Sequence, residues 1–299
     1  MGERLIIIEI GSNNTKTHVY ENGNVIYDNT TTIEFKKNYK NENKILDTDS
    51  ELLYGVIKKA LEYSNNIHIY GCSIFRNISK QELDDINSKL FDSFGLKIEV
   101  VSQEDEALYT ALGSYGDIDY DKNICVFIGG GGSTELIFVK DKRIVDKKFF
   151  GFGVVDVTSK FNSLKDDVPT VSFDEVYKYI DGLIGNIDSN ADLLILAGGD
   201  HLYWYNNARY ELLNNELYSN KNQKYMITRE MSDEYDRNAY VASLDRVRQN
   251  SDNPKWFDGS RAMKTITNLV SHKVNAKYII PTKINMEDGL RKKLENKIN

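Results

Sequence analysis

One pattern occurs twice in this 299-residue sequence: an apolar strand, a glycine-containing polar turn, a second strand, a hairpin turn and a third strand. The first copy reads IIIEIGSNNTKTHVYENGNVI and the second reads NICVFIGGGGSTELIFVKDKRIV. Placing Glu9 over Ile128 aligns the copies without a gap, at an offset of 119 positions. We interpret this as a weak internal repeat, with chance similarity of two hairpins as the alternative. The sequence therefore predicts two domains built alike, each opening with a β-hairpin whose loop faces the other domain.

Strands and helices are mixed along the whole chain, which predicts an α/β protein. The length suits two domains, and we place them at residues 1–118 and 119–299. The polar stretch 35–44 is predicted to be a loop. Apolar residues at helical spacing, flanked by turn residues, predict helices at several places: 50–64, 81–94, 104–113, 173–184, 235–248, 260–270 and 288–297.

Composition excludes several classes of function. The formal net charge of −7 argues against nucleic acid binding by bulk electrostatics, so an anionic ligand must be met by a local arrangement of groups. Cys72 and Cys125 both lie in apolar contexts and are expected to be reduced core residues. The four histidines show no metal-ligand spacing. The sequence shows neither a signal peptide nor a run of transmembrane length, so we expect a cytoplasmic protein without a membrane partner.

The two glycine-containing turns, GSNNTK and GGGGST, both predict phosphate-binding loops. Consecutive backbone N–H groups in such a turn can converge on an anion, and the neighbouring Ser and Thr hydroxyls add donors. Neither turn is a Walker loop or a Rossmann turn, because TELIFV continues as a strand where those motifs begin a helix. The alternative for each is a tight hairpin turn without a ligand. That alternative is weaker for GGGGST, since a turn does not need four consecutive glycines.

Three motifs, in the order IEIGSNNTK, VVSQEDEA and IGGGGSTEL, resemble the exopolyphosphatase and guanosine pentaphosphate phosphohydrolase family. The family motifs are D-I-G-S-N-S, S-G-E-E-E-A and D-I-G-G-G-S-T-E, and weaker similarity continues to MEDGL near the C-terminus. The resemblance implies two ribonuclease-H-like domains around an interdomain cleft, the actin-like ATPase fold shared with sugar kinases and heat-shock chaperones. Longer members carry an additional helical phosphohydrolase-like domain, for which we expect no room in this chain.

The resemblance places the family's catalytic acidic pair on Glu106 and Glu135. Hydrolysis of a phosphoanhydride needs a water aligned behind phosphorus and a carboxylate that orients it or accepts its proton. A second carboxylate can hold a magnesium ion that neutralises phosphate oxygens, and the expected ligands are Glu135 and Glu9. The alternative for Glu106 is a solvated acid at the start of a helix, where the helix dipole favours negative charge.

Phosphate contacts are carried over from the family in the same way. Arg76 matches the Arg of a T-x-A-x-R segment, and a guanidinium pairs two phosphate oxygens at once. Lys16 stands where the family has a basic residue after the first loop. The expected phosphate-binding residues are Gly11, Ser12, Asn13, Lys16, Arg76, Gly130, Gly131, Gly132, Ser133 and Thr134.

The sequence also departs from the family motifs. The first-loop Asp is Glu9, which is still a carboxylate, but the second-loop Asp is Ile128, which cannot bind a metal or orient water. A family Ser falls on Phe149, and the Arg that follows it falls on Asp156, which reverses a charge on the expected path of a polyanion. Two further positions differ from the family motifs: Lys80 stands where the family has an Asn, and Asp200 stands where it has a Thr.

The leading prediction is a phosphohydrolase of inorganic polyphosphate or of a phosphorylated guanine nucleotide, dependent on Mg²⁺ or another divalent cation. Whether the protein forms a homodimer is left open. The second hypothesis is a catalytically weakened relative that binds a phosphorylated ligand as a sensor or regulator. The third is an ATPase or kinase of the wider fold group, against which the LAGGDH turn lacks an obvious adenine-site signature.

Overall fold

The computed structural model describes residues 4–11, 14–115, 123–198, 201, 226–249, 251 and 254–295. Its strands are, in chain order, β1 Arg4–Ile10, β2 Asn14–Glu21, β3 Asn24–Thr32, β4 Ile67–Gly71, β5 Ile98–Val100, β6 Ile124–Gly129, β7 Thr134–Lys140, β8 Arg143–Phe150, β9 Leu193–Leu196, β10 Ile227–Thr228 and β11 Tyr278–Pro281. Its α-helices are α1 Phe35–Glu42, α2 Asp47–Leu61, α3 Lys80–Phe94, α4 Gln103–Tyr115, α5 Val154–Lys160, α6 Phe173–Ile184, α7 Arg229–Val241, α8 Leu244–Arg248, α9 Ser260–Lys273 and α10 Met286–Leu294.

The chain divides into two compact units. Unit 1 comprises Met1–Tyr109 and Met286–Asn299, and unit 2 comprises Thr110–Asn285. This division differs from the sequence-based boundary between residues 118 and 119, which lies outside the described residues. One part of the difference is that α10, at the end of the chain, packs in unit 1. The apolar side of α10 explains this placement, since Met286 and Leu290 are buried there with Leu5 and Ile7 of β1.

Unit 1 is built on a five-stranded sheet in the order β3-β2-β1-β4-β5. The first three strands are antiparallel, whereas β4 and β5 run parallel to β1. Both faces of β1 are buried, as expected of a central strand with the near-continuous apolar run LIIIEI. One face packs on a core shared with α1, α2 and α3, and the other packs on the core that contains α10.

Unit 2 repeats this arrangement in a six-stranded sheet of order β10-β11-β9-β6-β7-β8. Read from β8, the order matches that of unit 1, and β10 is an additional edge strand. One face of the sheet packs on a core that includes residues of α5, α6, α7 and α9. The strand order and the helices confirm the predicted α/β class with two ribonuclease-H-like sheets, one in each unit.

The repeat extends to the hydrogen-bond register of the two hairpins. Ile10 faces Thr15 across the first turn, and Gly129 faces Thr134 across the second. The two pairs are offset by 119 positions on each strand (129 − 10 and 134 − 15). A β-bulge lies between residues 19 and 20 of β2, and another lies 119 positions later, between residues 138 and 139 of β7. Chance similarity does not explain a bulge repeated at the same offset.

The two predicted hairpin tips are also equivalent. Each tip places two consecutive residues in the left-handed backbone region, as a two-residue turn with the twist of a hairpin requires. The tips are offset by the same 119 positions: Asn22–Gly23 and Asp141–Lys142.

Two secondary-structure predictions were wrong. Residues 35–44, predicted as a loop, contain helix α1, because Phe35 is buried and Tyr39, one turn later, packs on the same core. Residues 235–248, predicted as one helix, belong to two helices. The break lies at Ala242, whose backbone is extended, and the Ser243 side chain caps α8 by accepting a hydrogen bond from the Arg246 amide. Among the described residues, none of the helices combines the length and apolar character needed to cross a membrane.

Candidate functional site

The glycine turn between β6 and β7 is held on one side by the start of helix α5. The carbonyls of Gly130 and Gly131 accept hydrogen bonds from the amides of Val154 and Val155 at 3.0 and 2.8 Å. The amide of Gly130 donates to the Ser133 carbonyl at 2.9 Å and closes the turn. The backbone of the turn is therefore fixed before any ligand arrives.

These hydrogen bonds decide which amides of the turn face outwards. In a trans peptide, the N–H points opposite to the C=O of the same peptide plane. Because the carbonyls of Gly130 and Gly131 point towards α5, the amides of Gly131 and Gly132 point away from it. Both residues are exposed. Gly131 and Gly132 therefore form the donor pair of the predicted phosphate loop, while the Gly130 amide already has an acceptor within the turn.

Glycine is found at positions 153 and 132 for different physical reasons. A Cβ on Gly153 would lie 2.4 Å from the Gly130 carbonyl oxygen, so the approach of α5 to the turn requires glycine at that position. A Cβ on Gly132 would meet no heavy atom within 4 Å, and Gly132 does not have a positive φ. Neither packing nor backbone conformation requires glycine at 132, which is consistent with close approach of a ligand to the bare backbone.

The side chains after the turn are less accessible than the sequence suggests. The Thr134 hydroxyl is fully buried and donates to the Phe152 carbonyl at 3.1 Å. This corrects the expectation that Thr134 contacts phosphate, because its hydroxyl is held inside the unit. Ser133 is partly exposed beside the glycines. Glu135 is also buried, opposite Ile128 and Phe149 in the sheet, and its catalytic and metal-binding roles stay predictions.

The first loop, between β1 and β2, has the same closing hydrogen bond as the second. The Gly11 amide donates to the Asn14 carbonyl at 2.9 Å, as the Gly130 amide does to Ser133. The amide of Gly11 is therefore used within its own turn. Ser12 and Asn13, the other expected phosphate ligands of this loop, lie outside the described residues.

A charged cluster lies on one face of the unit 1 sheet. Lys16 contacts the Glu9 carboxylate at 3.1 Å and the Glu287 carboxylate at 3.8 Å. His18, two residues further along β2, places its Nε2 3.2 Å from Glu287. Residues 16 and 18 share a face because side chains alternate along a strand. Glu287 comes from α10 and completes a cluster of two acids and two bases.

The pKa values of these groups are coupled. Burial and the neighbouring Glu287 charge raise the pKa of Glu9, against the effect of Lys16. Burial would also raise the pKa of Glu287, but the hydrogen bond from His18 and the charge of Lys16 outweigh it and hold this pKa below its usual range. Burial lowers the pKa of His18, but the Glu287 hydrogen bond and charge outweigh it, so the net shift is upwards.

The second charged group of unit 1 is the pair of Arg76 and Glu106. An Arg76 Nη1 donates to the Glu106 carboxylate at 2.8 Å and to the Val101 carbonyl at 3.0 Å. Glu106 stands in the first turn of α4, as predicted. The Ser102 hydroxyl caps this turn by accepting a hydrogen bond from the Asp105 amide at 3.0 Å. The carboxylate of Glu106 is thus partly exposed and oriented by a guanidinium, rather than a freely solvated acid.

Both groups lie within electrostatic reach of the buried thiol of Cys72, whose amide donates to the Ile10 carbonyl at the end of β1 at 2.9 Å. Burial raises the pKa of this thiol, and charges on Glu106, Glu9, Arg76 and Lys16 act on it as well. The four charged site residues expected in unit 1 therefore lie in one region, although they are up to 97 positions apart in the sequence (106 − 9). The structure brings together two carboxylates and two cations from β1, β2, the 3₁₀ turn Ser73–Arg76 and α4.

Two members of the cluster were missed by sequence reasoning. His18 was treated as an ordinary histidine, although its alternation with Lys16 on β2 gave a usable signal. Glu287 lies in the MEDGL segment, and its sequence neighbourhood gives no sign that it returns to β1 and β2. Only the packing of α10 shows that its carboxylate faces Lys16 and His18.

The side chains available as metal ligands determine how a divalent cation could be held. Among the described residues, no group of three or more His, Cys, Asp or Glu side chains could hold a metal ion by itself. Mg²⁺, however, is commonly held by one or two carboxylates together with phosphate oxygens and water. The carboxylates of this protein therefore fit a cation that binds together with a phosphorylated substrate.

Comparisons with known proteins agree with the fold described above. The model of the Ppx/GppA phosphatase family matches residues 26–236. The crystal structure of the Aquifex aeolicus member of the Ppx/GppA family superposes with a TM-score of 0.78 at 18% sequence identity, covering 99% of both chains. An exopolyphosphatase from Cytophaga hutchinsonii superposes with a TM-score of 0.71 at 15% identity, covering 98% of both chains. A search of curated proteins found no match.

These findings place the chain in the class of two-sheet α/β proteins that this fold defines. The chain belongs to the Ppx/GppA phosphatase family. The likeness to the Aquifex and Cytophaga structures establishes that the fold is shared over nearly the whole chain.

Proposed function

We propose that this protein is a phosphoanhydride hydrolase that releases phosphate from inorganic polyphosphate, guanosine pentaphosphate or both. The observation that carries the proposal is the convergence of Arg76, Glu106, Lys16 and Glu9 around Cys72 in unit 1. A structural ion pair would need only one acid and one base. Here two cations and two acids lie in one region, and the side chains of Lys16, Arg76 and Glu106 are partly exposed, which suits an anionic substrate attacked by water.

In the proposed reaction, Arg76 and Lys16 neutralise the phosphate oxygens. Arg76 orients Glu106 through the 2.8 Å hydrogen bond, and Glu106 aligns the attacking water or accepts its proton. The amides of Gly131 and Gly132 hold further phosphate groups by the same electrostatic principle as other backbone anion sites. The leaving group is the shortened phosphate chain or nucleotide.

Glu9 in unit 1 and Glu135 in unit 2 are, each within its own unit, proposed carboxylate ligands for magnesium. When bound with the substrate, the ion supplies neutralisation of charge on the phosphate oxygens. Lys16, whose Nζ lies 3.1 Å from the Glu9 carboxylate, would lose this partner if Glu9 held the ion. Lys16 would then be available to phosphate.

The family supports a phosphatase, and the two candidate substrates share the same reacting bond. The Cytophaga protein with the same fold is described as an exopolyphosphatase, which favours polyphosphate as the first substrate to test. Guanosine pentaphosphate offers the same terminal phosphoanhydride with a nucleoside attached. A panel of both substrates, with purified full-length protein and Mg²⁺, tests the proposal through the release of inorganic phosphate.

A second function has a specific observation in its favour. Ile128, where the family has an acid, lies directly opposite the buried Glu135, and Asp156 accepts a hydrogen bond from the Gly153 amide at 2.9 Å as a cap of α5. Asp156 thus serves the local fold at a position where the family has a cation. Both features suit a protein that binds a phosphorylated ligand without turnover. Ligand-dependent thermal stabilisation without phosphate release would favour this sensor function and contradict the hydrolase.

A further inference from the structure

The two described sheets end in edge strands that differ in how well they are protected against pairing with another chain. An edge strand presents backbone N–H and C=O groups, and proteins usually protect it by keeping it short or by adding Lys or Pro. Strands β5 and β10 have three and two residues, and β8 carries one arginine and two lysines. By contrast, β3 has nine residues without Lys, Arg or Pro, and it exposes Val25 and Ile26. The β3 edge is therefore open to pairing.

A groove of about 280 Å³ lies between β3 and helix α2 of unit 1. Tyr27, Asn29 and Thr31 of β3 line one wall, and residues of α2 between Leu52 and Ala60 line the other. A strand rises about 3.3 Å per residue, so the three β3 residues span about 13 Å. The stretch of α2 has a similar length, about 12 Å at 1.5 Å per residue. The groove therefore has the length of about four residues of an extended chain.

Two further features of the groove indicate a ligand. Thr17 of β2 lines the groove and is 3% exposed, yet among the described residues its hydroxyl has no hydrogen-bond partner. A buried hydroxyl without a partner is destabilising, and a ligand group could satisfy it. Gly55 also lines the groove, in the interior of α2, where glycine is less stable than alanine. A Cβ on Gly55 would meet no heavy atom within 4 Å, and Gly55 does not have a positive φ, so only the open groove accounts for it.

The lining determines the chemistry of the occupant. Leu52 and Val56 provide apolar surface, and Thr17 provides a hydroxyl. Of the described residues that line the groove, Lys59 alone is charged, and it is paired with Glu62. A charged side chain in the groove would therefore lack a counter-charge. We propose that β3 pairs with an extended segment of a partner protein, which adds a strand to the sheet and places uncharged side chains, apolar or hydroxyl-bearing, in the groove.

This site is separate from the charged cluster of unit 1. Because side chains alternate along a strand, Thr17 lies on the opposite face of β2 from Lys16 and His18. The register agrees, since Thr17 is opposite Asn29 of the groove, whereas His18 is opposite Asp28. The inference therefore goes beyond the proposed function and does not depend on phosphate hydrolysis.

Three fluorophore-labelled hexapeptides, acetylated and amidated at their ends, test the inference by fluorescence anisotropy with the full-length chain. The first is TVTVTV, whose side chains are hydroxyl-bearing on one face and apolar on the other. The second is TVTVTV with every backbone nitrogen methylated, which removes the N–H donors and keeps the side chains. The third is EKEKEK, in which every side chain is charged. We expect TVTVTV to bind about 10-fold or more tightly than either of the others, as the loss of two backbone hydrogen bonds allows.

Two variants locate the binding. Gly55→Leu places a side chain in the groove at an exposed helical position, where Leu favours the helix. Asn29→Lys protects the β3 edge with a cation, as the lysines of β8 do. We expect each variant to bind TVTVTV about 10-fold or more weakly than the wild type, since burial of one apolar side chain is of this size. The matched control Gly182→Leu, at an exposed glycine of α6 with open space around it, keeps the affinity. A circular dichroism melt of each variant confirms that it is folded.

The outcomes decide between this inference and its alternatives. Absence of TVTVTV binding at concentrations up to about 1 mM, equal binding of the three peptides, or unchanged affinity in both folded variants would overturn it. Sedimentation velocity of the peptide-free wild type tests whether a second copy of this chain is the occupant instead. A concentration-dependent dimer that Asn29→Lys abolishes would assign the β3 edge to self-association and overturn the partner segment, whereas equal masses of the two chains at all concentrations would support it.

Discussion

Arg261 holds together three segments of unit 2, and its replacement by Met tests this directly. The side chain is 1% exposed and its guanidinium donates to five backbone carbonyls. The acceptors, at 2.6–3.0 Å, are Leu164, Asp166, Asp167, Tyr240 and Ala242. Two of these carbonyls end helix α7, where the last turn has no partners of its own. Arg261 therefore joins α9 to the end of α7 and to the segment 164–167.

The size of the effect follows from which carbonyls lose their partner. The hydrogen bonds to Leu164 and Tyr240 are fully buried, and an unsatisfied buried acceptor costs about 1–3 kcal/mol. The other three carbonyls are partly buried and can regain hydrogen bonds to water. Met has a comparable length and escapes the desolvation cost of a buried guanidinium. We expect Arg261→Met to lower the free energy of unfolding of unit 2 by about 2–6 kcal/mol, which is about 1–3 kcal/mol for each of the two fully buried acceptors.

Urea denaturation followed by tryptophan fluorescence measures this value for unit 2, since both tryptophans, Trp204 and Trp256, fall within its stretch of sequence. Arg237→Met is the matched control. Arg237 is exposed, pairs with Asp174 and stacks on Phe173, so its loss should cost about 1 kcal/mol or less. A loss below about 1 kcal/mol for Arg261→Met would refute the reasoning, because it would mean that the five carbonyls do not depend on the guanidinium.

Three further predictions concern the glycine turn, the unit 1 cluster and the cysteines. Gly153→Ala should lower the melting temperature, because the new Cβ would lie 2.4 Å from the Gly130 oxygen, whereas Gly182→Ala in α6, with open space around it, should not; equal melting temperatures for the two variants would contradict the contact. The pKa of Glu9 is raised from its ordinary value of 4.5 to about 7, so its contribution to stability is present below pH 4.5 and is lost as the pH rises through 7. In metal-free buffer, the urea midpoint of the wild type should fall between pH 4.5 and pH 7 relative to the midpoint of Glu9→Gln. The same pH dependence of the two midpoints would argue against a raised pKa of Glu9. Burial raises the pKa of both Cys72 and Cys125, so neither should react with a thiol reagent until the chain is unfolded; labelling of the native protein would show that a thiol is accessible.

Much of the fold could be predicted because local sequence patterns indicate it. The repeat at an offset of 119 residues predicted the two hairpins, and the structure extends it to the register, the bulges and the turn tips. Helix 173–184 was predicted to its end residues, since its apolar spacing agrees with a Ser172 cap. Helix α1 was not predicted, because its sequence is mostly polar and only the packing of Phe35 and Tyr39 favours it. Propensity is a weak guide where tertiary packing decides.

The candidate site was predictable only in part. The motifs pointed to Glu106, Arg76, Lys16 and Glu9, and the structure gathers these four in unit 1. The motifs could not show that Thr134 is buried or that the Gly130 amide closes its own turn, because both depend on the position of α5 and the neighbouring strand. Glu287 was missed, since it lies in a helix distant in sequence from Lys16 and His18, which it faces.

The account depends most on Glu106 as the group that prepares water for attack on a phosphoanhydride. Phosphate release and binding, measured with polyphosphate and Mg²⁺ for Glu106→Gln and for the control Glu104→Gln in the same helical turn, test this most directly. We predict that Glu106→Gln binds polyphosphate and releases phosphate roughly 10²–10⁴-fold more slowly, the usual loss when a catalytic base is removed, while Glu104→Gln behaves as the wild type. Equal rates of release by wild type and Glu106→Gln would contradict the account.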